Sequence, residues 1–318
     1  MFHTRSSSAL VAALMLVGCS DFFLSRRQPE VADPLTVTET FEQAPLPRLD
    51  LLWVIDDTPS MSDEHDALAA AMPAFADALQ EAGVAWQVGV VTTDPGEDLG
   101  VLRGDPWILT PSEAESLDLL LDTAAITLLG REPASGIAAM VLALESPLRT
   151  DENRGFRRPD AALEVIVVSD GDDRSDAVLG PDAIDIGLST LEAEADSTGR
   201  PARLSAVVGP RGGCSGPGGS ALPGLRYLEL AEATGGTTAS ICEGHMESVI
   251  ADLGASSVEW QTEFPLQATP ETGSLRVAID GLRADTGWSM ATGPDRVVFD
   301  LAPAPGAVIT VRYTVADR

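Results

Sequence analysis

The 318-residue sequence contains no lysine, only three histidines and three cysteines, and just two tyrosines. Without lysine there is no Walker-type phosphate loop, and the clustered cations that nucleic acids and anionic membrane surfaces require are missing. A formal net charge of −29 extends the same exclusion, so no nucleic-acid partner is expected. Beyond residue 3 the histidines are His65 and His245, which form no His-x-x-x-His pair, and no Gly-x-Ser-x-Gly elbow occurs. Neither a histidine-held zinc nor a hydrolase nucleophile is therefore written in the chain, and it is not expected to be an enzyme. Downstream of residue 17 no apolar run is long enough to cross a bilayer as a helix. What is present is 44% apolar residues, enough for a substantial core, in a length that suits one principal domain with a smaller companion.

The opening MFHTRSSSALVAALMLVGCS places Arg5 ahead of an apolar run from Ala9 to Val17, the pattern of a secretory signal over residues 1–18. Leu16-Val17-Gly18-Cys19 resembles the lipobox read by lipoprotein signal peptidase. That resemblance implies cleavage before Cys19, acylation of its thiol and new amino group, and a membrane partner through the lipid anchor. Ser20 rather than Asp at the next position resembles envelope lipoproteins sorted to the outer membrane. With Cys19 given to lipid, Cys214 and Cys242 remain in an oxidising compartment, where a single structural disulfide is expected. Residues 19–48 carry Pro29, Pro34, Pro45 and Pro47 and read as a tether, although LTVTETF at 35–41 alternates well enough to be an edge strand instead.

From residue 49 to 256 short apolar, β-branched runs alternate with amphipathic segments. Strands are predicted at Asp50 to Ile55, Val84 to Thr92, Leu163 to Ser169 and Arg203 to Val208. Runs this apolar suit strands covered on both faces of a parallel sheet. Helices are predicted at Ser62 to Ala82, Pro111 to Leu121, Ser135 to Leu144, Asp182 to Asp196 and Leu225 to Thr234. The alternation is that of a doubly wound α/β domain with a mainly parallel central sheet, whose ligands bind at the carboxyl ends of the strands. Residues 257–318 change character, offering SLRVAID, RVVFDL and AVITVRYTV between Gly and Pro turns, and predict a small all-β domain of four to six strands.

The densest chemistry lies in LLWVIDDTPSMS, where a strand ends in Asp56 and alternate positions present Thr58 and Ser60. One loop thus aims a carboxylate and two hydroxyls at one point, the oxygen donors that hard divalent cations take. A capping role at a helix start would need only one of these residues. The segment, with Met61 following, resembles the metal-ion-dependent adhesion site of the von Willebrand factor A family, Asp-x-Ser-x-Ser, with Thr58 in the middle hydroxyl position. The family's Asp at the end of a later strand is matched by Asp170, in Ser169-Asp170-Gly171. Its threonine in the loop before the central helix has no direct match in LLGREPASGI, where Glu132 takes that place and Ser135 stands just before the helix. Glu132 as ligand would favour Ca²⁺, whereas Ser135 would keep the ion electrophilic.

The resemblance implies one Mg²⁺ or Ca²⁺ and divalent-cation-dependent binding of a protein, or a glycan, with a partner carboxylate completing the coordination. A structural envelope scaffold, in which the ion only braces loops, is the alternative, and a metal-dependent hydrolase a second. Asp172, Asp173 and Asp176 fail the spacing of an EF-hand loop and read as turn and helix-start residues, while Asp94 falls at the site's rim. The Gly-rich GPRGGCSGPGGS, then RYLELAEATGG and SIC, and the tail with Phe264-Pro265-Leu266 and Gly287-Trp288, are similar to exported bacterial lipoproteins carrying this domain. Within that group the two later cysteines pair, in line with the compartment argument. Trp288 is either a core aromatic or a sugar-stacking platform.

Overall fold

Five parallel strands form the centre of the molecule, because each is an unbroken apolar run that must be covered on both faces. The computed structural model describes residues 35–316 apart from 114–116, 118–119 and 125; the lipid-anchor expectation at Cys19 lies outside the described residues. The strands are β2 (Arg48–Ile55), β3 (Ala85–Thr92), β4 (Ala162–Ser169), β5 (Ala202–Val208) and β8 (Thr238–Ser240), in the order β3-β2-β4-β5-β8. Every neighbouring pair is parallel. At the β3 edge Leu109 and Val88 exchange backbone hydrogen bonds at 2.8 and 2.9 Å in an antiparallel bridge.

Side chains alternate across β2. Leu51, Trp53 and Ile55 enter one core with α1 (Ser62–Ala82) and α5 (Met246–Ser257), while Leu52 and Val54 enter the other with α2 (Gly136–Leu144), α3 (Ala183–Thr198) and α4 (Leu225–Thr234). The chain leaves β2 toward β3 over one face and β4 toward β5 over the opposite face. The crevice between the carboxyl ends of β2 and β4 is thus the topological switch point, where this architecture places ligands.

The second region is built from two antiparallel sheets closed on a small core of Phe264, Val277, Val297, Phe299, Ile309, Val311 and Tyr313. One sheet runs β1-β14-β10-β11, from β1 (Thr36–Glu42), β14 (Val308–Thr314), β10 (Arg276–Ile279) and β11 (Leu282–Ala284). The other runs β12-β13-β9, from β12 (Trp288–Ala291), β13 (Arg296–Phe299) and β9 (Glu263–Pro265). The edge-strand reading of LTVTETF is the one realised, since β1 pairs along its whole length with β14. The expected tether is therefore shortened at its carboxyl end, and the α/β domain is inserted between β1 and the rest of the β region. Two crossings of the chain connect the regions side by side: Leu46 N–H donates to Glu259 O at 2.7 Å and Gln261 N–H to Ala44 O at 3.1 Å. This neck meets the amino ends of the parallel strands, the pole opposite the switch point. Trp288 is a half-buried core aromatic whose Nε1 donates to Ala284 O at 2.8 Å.

Candidate functional site

β2 ends in three buried polar residues, Asp56, Asp57 and Thr58, before Pro59 opens a single 3₁₀ turn, Pro59–Met61, that leads into α1. Proline at the first helical position lacks the N–H that a helix start would leave unsatisfied, so the turn follows directly from the sequence. Neither Thr58 nor Met61 makes a side-chain cap at the starts of these helices. The hydroxyls of Thr58 and Ser60 are instead directed at each other, 3.1 Å apart.

Asp56 is held firmly. Its Oδ1 accepts the Thr58 N–H at 3.0 Å and the Thr93 hydroxyl at 3.3 Å, and its Oδ2 accepts the Ser169 hydroxyl at 2.5 Å. His65 on α1 donates to its carbonyl at 2.7 Å. From the facing loop after β4, the Asp170 N–H meets Met61 Sδ at 3.2 Å, which sets its carboxylate near the Ser60 hydroxyl. The structure thus brings Asp56, Thr58, Ser60 and Asp170 together at the switch point. Burial raises the Asp170 carboxyl above its ordinary range, with Asp56 and Glu132 adding to the effect and the Ser60 hydroxyl opposing it. Asp57 is pushed up to about 6, again by burial first, with Asp94 and Asp56 contributing.

Glu132 and Ser135 take different positions in the loop ahead of α2. Ser135 is fully buried, and its hydroxyl donates to Pro133 O at 2.9 Å. Glu132 is exposed, accepts the Ala134 N–H at 3.1 Å, and lies near enough to Asp170 to raise it. The loop is tied to the site from both ends: Gly130 N–H donates to Asp57 O at 2.9 Å and Ser135 N–H to Thr93 O at 2.8 Å. Asp94 holds Arg131 at 3.0 Å at the rim.

The acidic run after Asp170 is used by the fold. Asp173 accepts the Ile137 N–H at 2.9 Å, and Ser175 Oγ accepts that of Ala138 at 2.7 Å, so both cap α2, while Asp173 also accepts the Ser175 N–H of its own turn at 2.9 Å. Asp172 accepts the Arg226 N–H at 3.0 Å at the start of α4, and Asp176 pairs with the Arg226 side chain at 2.6 Å. On the other flank a hairpin of β6 (Cys214–Gly216) and β7 (Gly219–Ala221) is tied to β8 by the Cys214–Cys242 disulfide and to the site by Leu222 N–H donating to Asp170 O at 2.8 Å. Glycine is required at 219, where φ is +120° and an added Cβ would stand 2.0 Å from Glu64 Oε1.

Four residues of this neighbourhood carry no role in the sequence reading: Thr93, Ser169, Asp57 and Glu64. Thr93 and Ser169 end apolar strands, and that position at a strand's carboxyl end is their one local signal. Asp57 and Glu64 are buried, and Asp57 Oδ1 and Glu64 Oε2 have no hydrogen-bond partner. Among the described residues no ion pair reaches Asp56, Asp57, Glu64 or Asp170. No three Asp, Glu, His or Cys side chains among them are grouped to hold a metal, so a cation here would need hydroxyl donors as well. The donor chemistry fits that need. Adjacent ligands at Mg²⁺ distances stand about 2.9 Å apart in an octahedron, and the Thr58 and Ser60 oxygens are 3.1 Å apart beside two carboxylates.

No protein-family model matches this chain, and no curated protein does. Among solved structures it is similar to the pilus adhesin SpaC from Lactobacillus rhamnosus GG, at 11% identity and a TM-score of 0.41, over 87% of this chain and 41% of that one. It is also similar to proximal thread matrix protein 1 from the mussel byssus, at 14% identity and a TM-score of 0.42, over 71% of this chain and 51% of that one. The chain thus spans about two fifths and about half of these proteins' lengths. Likeness at this level carries no argument about activity.

Proposed function

We propose that this is a von Willebrand factor A-like binding protein of the cell envelope, lipid-anchored through Cys19, whose α/β domain takes a partner through one Mg²⁺ or Ca²⁺ held by Asp56, Thr58, Ser60 and Asp170. The observation that carries the reading is the set of buried carboxylates at the switch point that the chain leaves without any cation of its own. Buried charges in proteins are paired or coordinate metals. One bound divalent ion supplies an electrophilic centre at which a partner's carboxylate oxygen can complete the coordination.

The chain's own residues do the positioning. Thr93, Ser169 and the Thr58 N–H fix the Asp56 carboxylate before any ion arrives. The contact of the Asp170 N–H with Met61 Sδ joins the β4 loop to the β2 loop, and Glu132, whose charge acts on Asp170, is a candidate further ligand. The insertion of the α/β domain supports display: the neck lies at the amino ends of the strands, so the site faces away from β1. Isothermal titration of Mg²⁺ and of Ca²⁺ into the mature chain and into Asp56→Ala tests the assignment. Binding lost in the variant is the expected result, and binding unchanged removes the site.

A further inference from the structure

The hairpin of β6 and β7 stands beside the site and has almost no core of its own. Its ladder pairs only Cys214 with Ala221, Ser215 with Ser220 and Gly216 with Gly219. None of its residues is buried, and only Cys214 and Ala221 pack against the neighbouring apolar core. A two-stranded hairpin without an apolar face is marginal in water, so the order of this one comes from its attachments. The covalent attachment is the Cys214–Cys242 disulfide, beside which the Gly218 N–H donates to Cys242 O at 3.1 Å. Cys242 is buried in the same core as Met246 and Ile250 of α5. The disulfide thus fastens a weak element to a strong one.

The far side of the hairpin reaches the cation-site residues. Gly219 lies against the Glu64 carboxylate, and at the end of β7 the Leu222 N–H donates to Asp170 O at 2.8 Å. The Asp170 N–H has only Met61 Sδ, at 3.2 Å, and a thioether is a weak acceptor. Losing the hairpin therefore takes away the stronger of the two backbone bonds that place Asp170. The bonds that fix Asp56 come from Thr58, Thr93 and Ser169 and do not pass through it.

We infer that the Cys214–Cys242 disulfide is a redox lock on the cation site, holding the hairpin that places Asp170 when oxidised and releasing it when reduced by a dithiol; this rests on the cation-dependent reading above. Cys214 is half-buried on an exposed hairpin, whereas Cys242 is 5% exposed, so Cys214 Sγ is the sulfur that a thiolate reaches. Attack there breaks the S–S bond, expels the Cys242 thiolate and leaves a mixed disulfide. The reductant's second thiol then attacks its own sulfur in that bond and expels the Cys214 thiolate. Two electrons and two protons pass from the dithiol to the cysteine pair, and the reductant leaves as a disulfide. Because Asp56 keeps its own bonds, the cost in cation affinity is about tenfold, the net worth of one backbone hydrogen bond. Linkage makes the coupling reciprocal, so a bound cation makes the disulfide harder to reduce by the same factor.

The test titrates Mg²⁺ and Ca²⁺ into the mature chain oxidised, reduced with dithiothreitol and reoxidised, with circular dichroism recorded on each form. Reduction is expected to weaken binding about tenfold while the helical signal stays, and reoxidation to restore it. Cys214→Ser combined with Cys242→Ser is expected to bind as the reduced protein does and to ignore dithiothreitol. In the reverse direction, saturating cation is expected to shift the equilibrium of the disulfide with dithiothreitol about tenfold toward the oxidised form, a shift that a merely stabilising bridge remote from the site would not show. Equal affinity in the oxidised and reduced forms, a reduction equilibrium blind to cation, or loss of the helical signal on reduction each overturn the proposal while leaving cation binding by the oxidised chain intact. Failure of the oxidised chain to bind either ion is the separate outcome that brings down the underlying reading, and the proposal with it.

Discussion

The two ends of the parallel sheet both bury acidic residues and treat them in opposite ways. At the amino end Asp50, fully buried, is met by Arg157 and by Arg158, whose Nε lies 2.7 Å from Oδ1 and whose N–H donates at 2.8 Å to Oδ2. Arg157 then reaches Glu194 at 2.8 Å. Even Glu164, the least comfortable acid of that half, has Arg203 at 3.5 Å. At the carboxyl end Asp56 receives two hydroxyls and a backbone N–H, Asp57 Oδ1 and Glu64 Oε2 receive nothing, and among the described residues no arginine pairs with these acids or with Asp170. The chain is sparing with cations and spends them where nothing else will neutralise the charge. The difference teaches that the lower acids are paired within the fold, while Asp56, Asp57, Glu64 and Asp170 are left without a cation of the chain's own, which is what the proposed function rests on.

Breaking the lower end gives the largest effect. Asp50→Asn removes the carboxylate that Arg157 and Arg158 share and leaves the Arg157 guanidinium, 2% exposed, with Glu194 as its one counter-charge; a stability loss of about 3–5 kcal/mol is expected in chemical denaturation. A loss under about 1 kcal/mol would show that the two ends do not differ as described.

Glu164 sharpens the comparison through pH. Burial, offset in part by Arg203 and Ser205, pushes its carboxyl up to about 7 from 4.5. A raised folded-state value means the folded protein holds the proton more tightly than the unfolded chain. The contribution is therefore most favourable below about pH 4.5 and is lost as pH rises toward 7, by about 3 kcal/mol in all. Glu164→Gln is expected to gain stability over the unaltered protein at pH 8 and to match it near pH 4. Equal denaturation midpoints at both pH values would remove the shift.

A smaller effect is expected where the upper end is set by packing. A Cβ on Gly136, the first residue of α2, would stand 2.5 Å from the Tyr227 hydroxyl, so Gly136→Ala must displace α2 or α4 at a cost of about 1–3 kcal/mol. Because Glu132 and Ser135 precede that helix, cation affinity is expected to fall as well. Unchanged affinity alongside lost stability would separate the Glu132 loop from the site.

Much of this was legible in the sequence wherever a signal was local and repeated. The runs ending in Ile55, Thr92, Ser169 and Val208 are strands because no other element hides so many consecutive β-branched residues, and α1 and α4 begin and end where the apolar period does. The helix α5 was missed although Met246, Ile250, Leu253 and Ser257 lie on one stripe, and β8, three residues long, offers too little pattern to read. The pairing of β1 with β14 joins Glu39 to Val311 across the whole inserted domain, and no local property of TVTETFE encodes its partner. In the site, Asp56, Thr58, Ser60 and Asp170 were visible because strand ends and short spacing fix where they point. Thr93 and Ser169 were not, because a hydroxyl residue after a strand is common and its hydrogen bond to Asp56 is made across strands. Asp172 and Asp173 read correctly as helix-start residues, yet the starts they serve belong to α4 and α2, which only the tertiary fold brings near.

The most direct test compares unfolding free energies of the unaltered protein and Asp170→Asn, each in EDTA and at saturating Mg²⁺ or Ca²⁺. In EDTA the variant is predicted to be no less stable than the parent, because it removes a half-buried carboxylate that has no cation partner and whose charged form burial disfavours. With cation at a hundred times its dissociation constant the parent should gain about 2.7 kcal/mol and the variant far less. A parent that gains nothing from either ion, together with a variant destabilised in the manner of Asp50→Asn, would contradict the account.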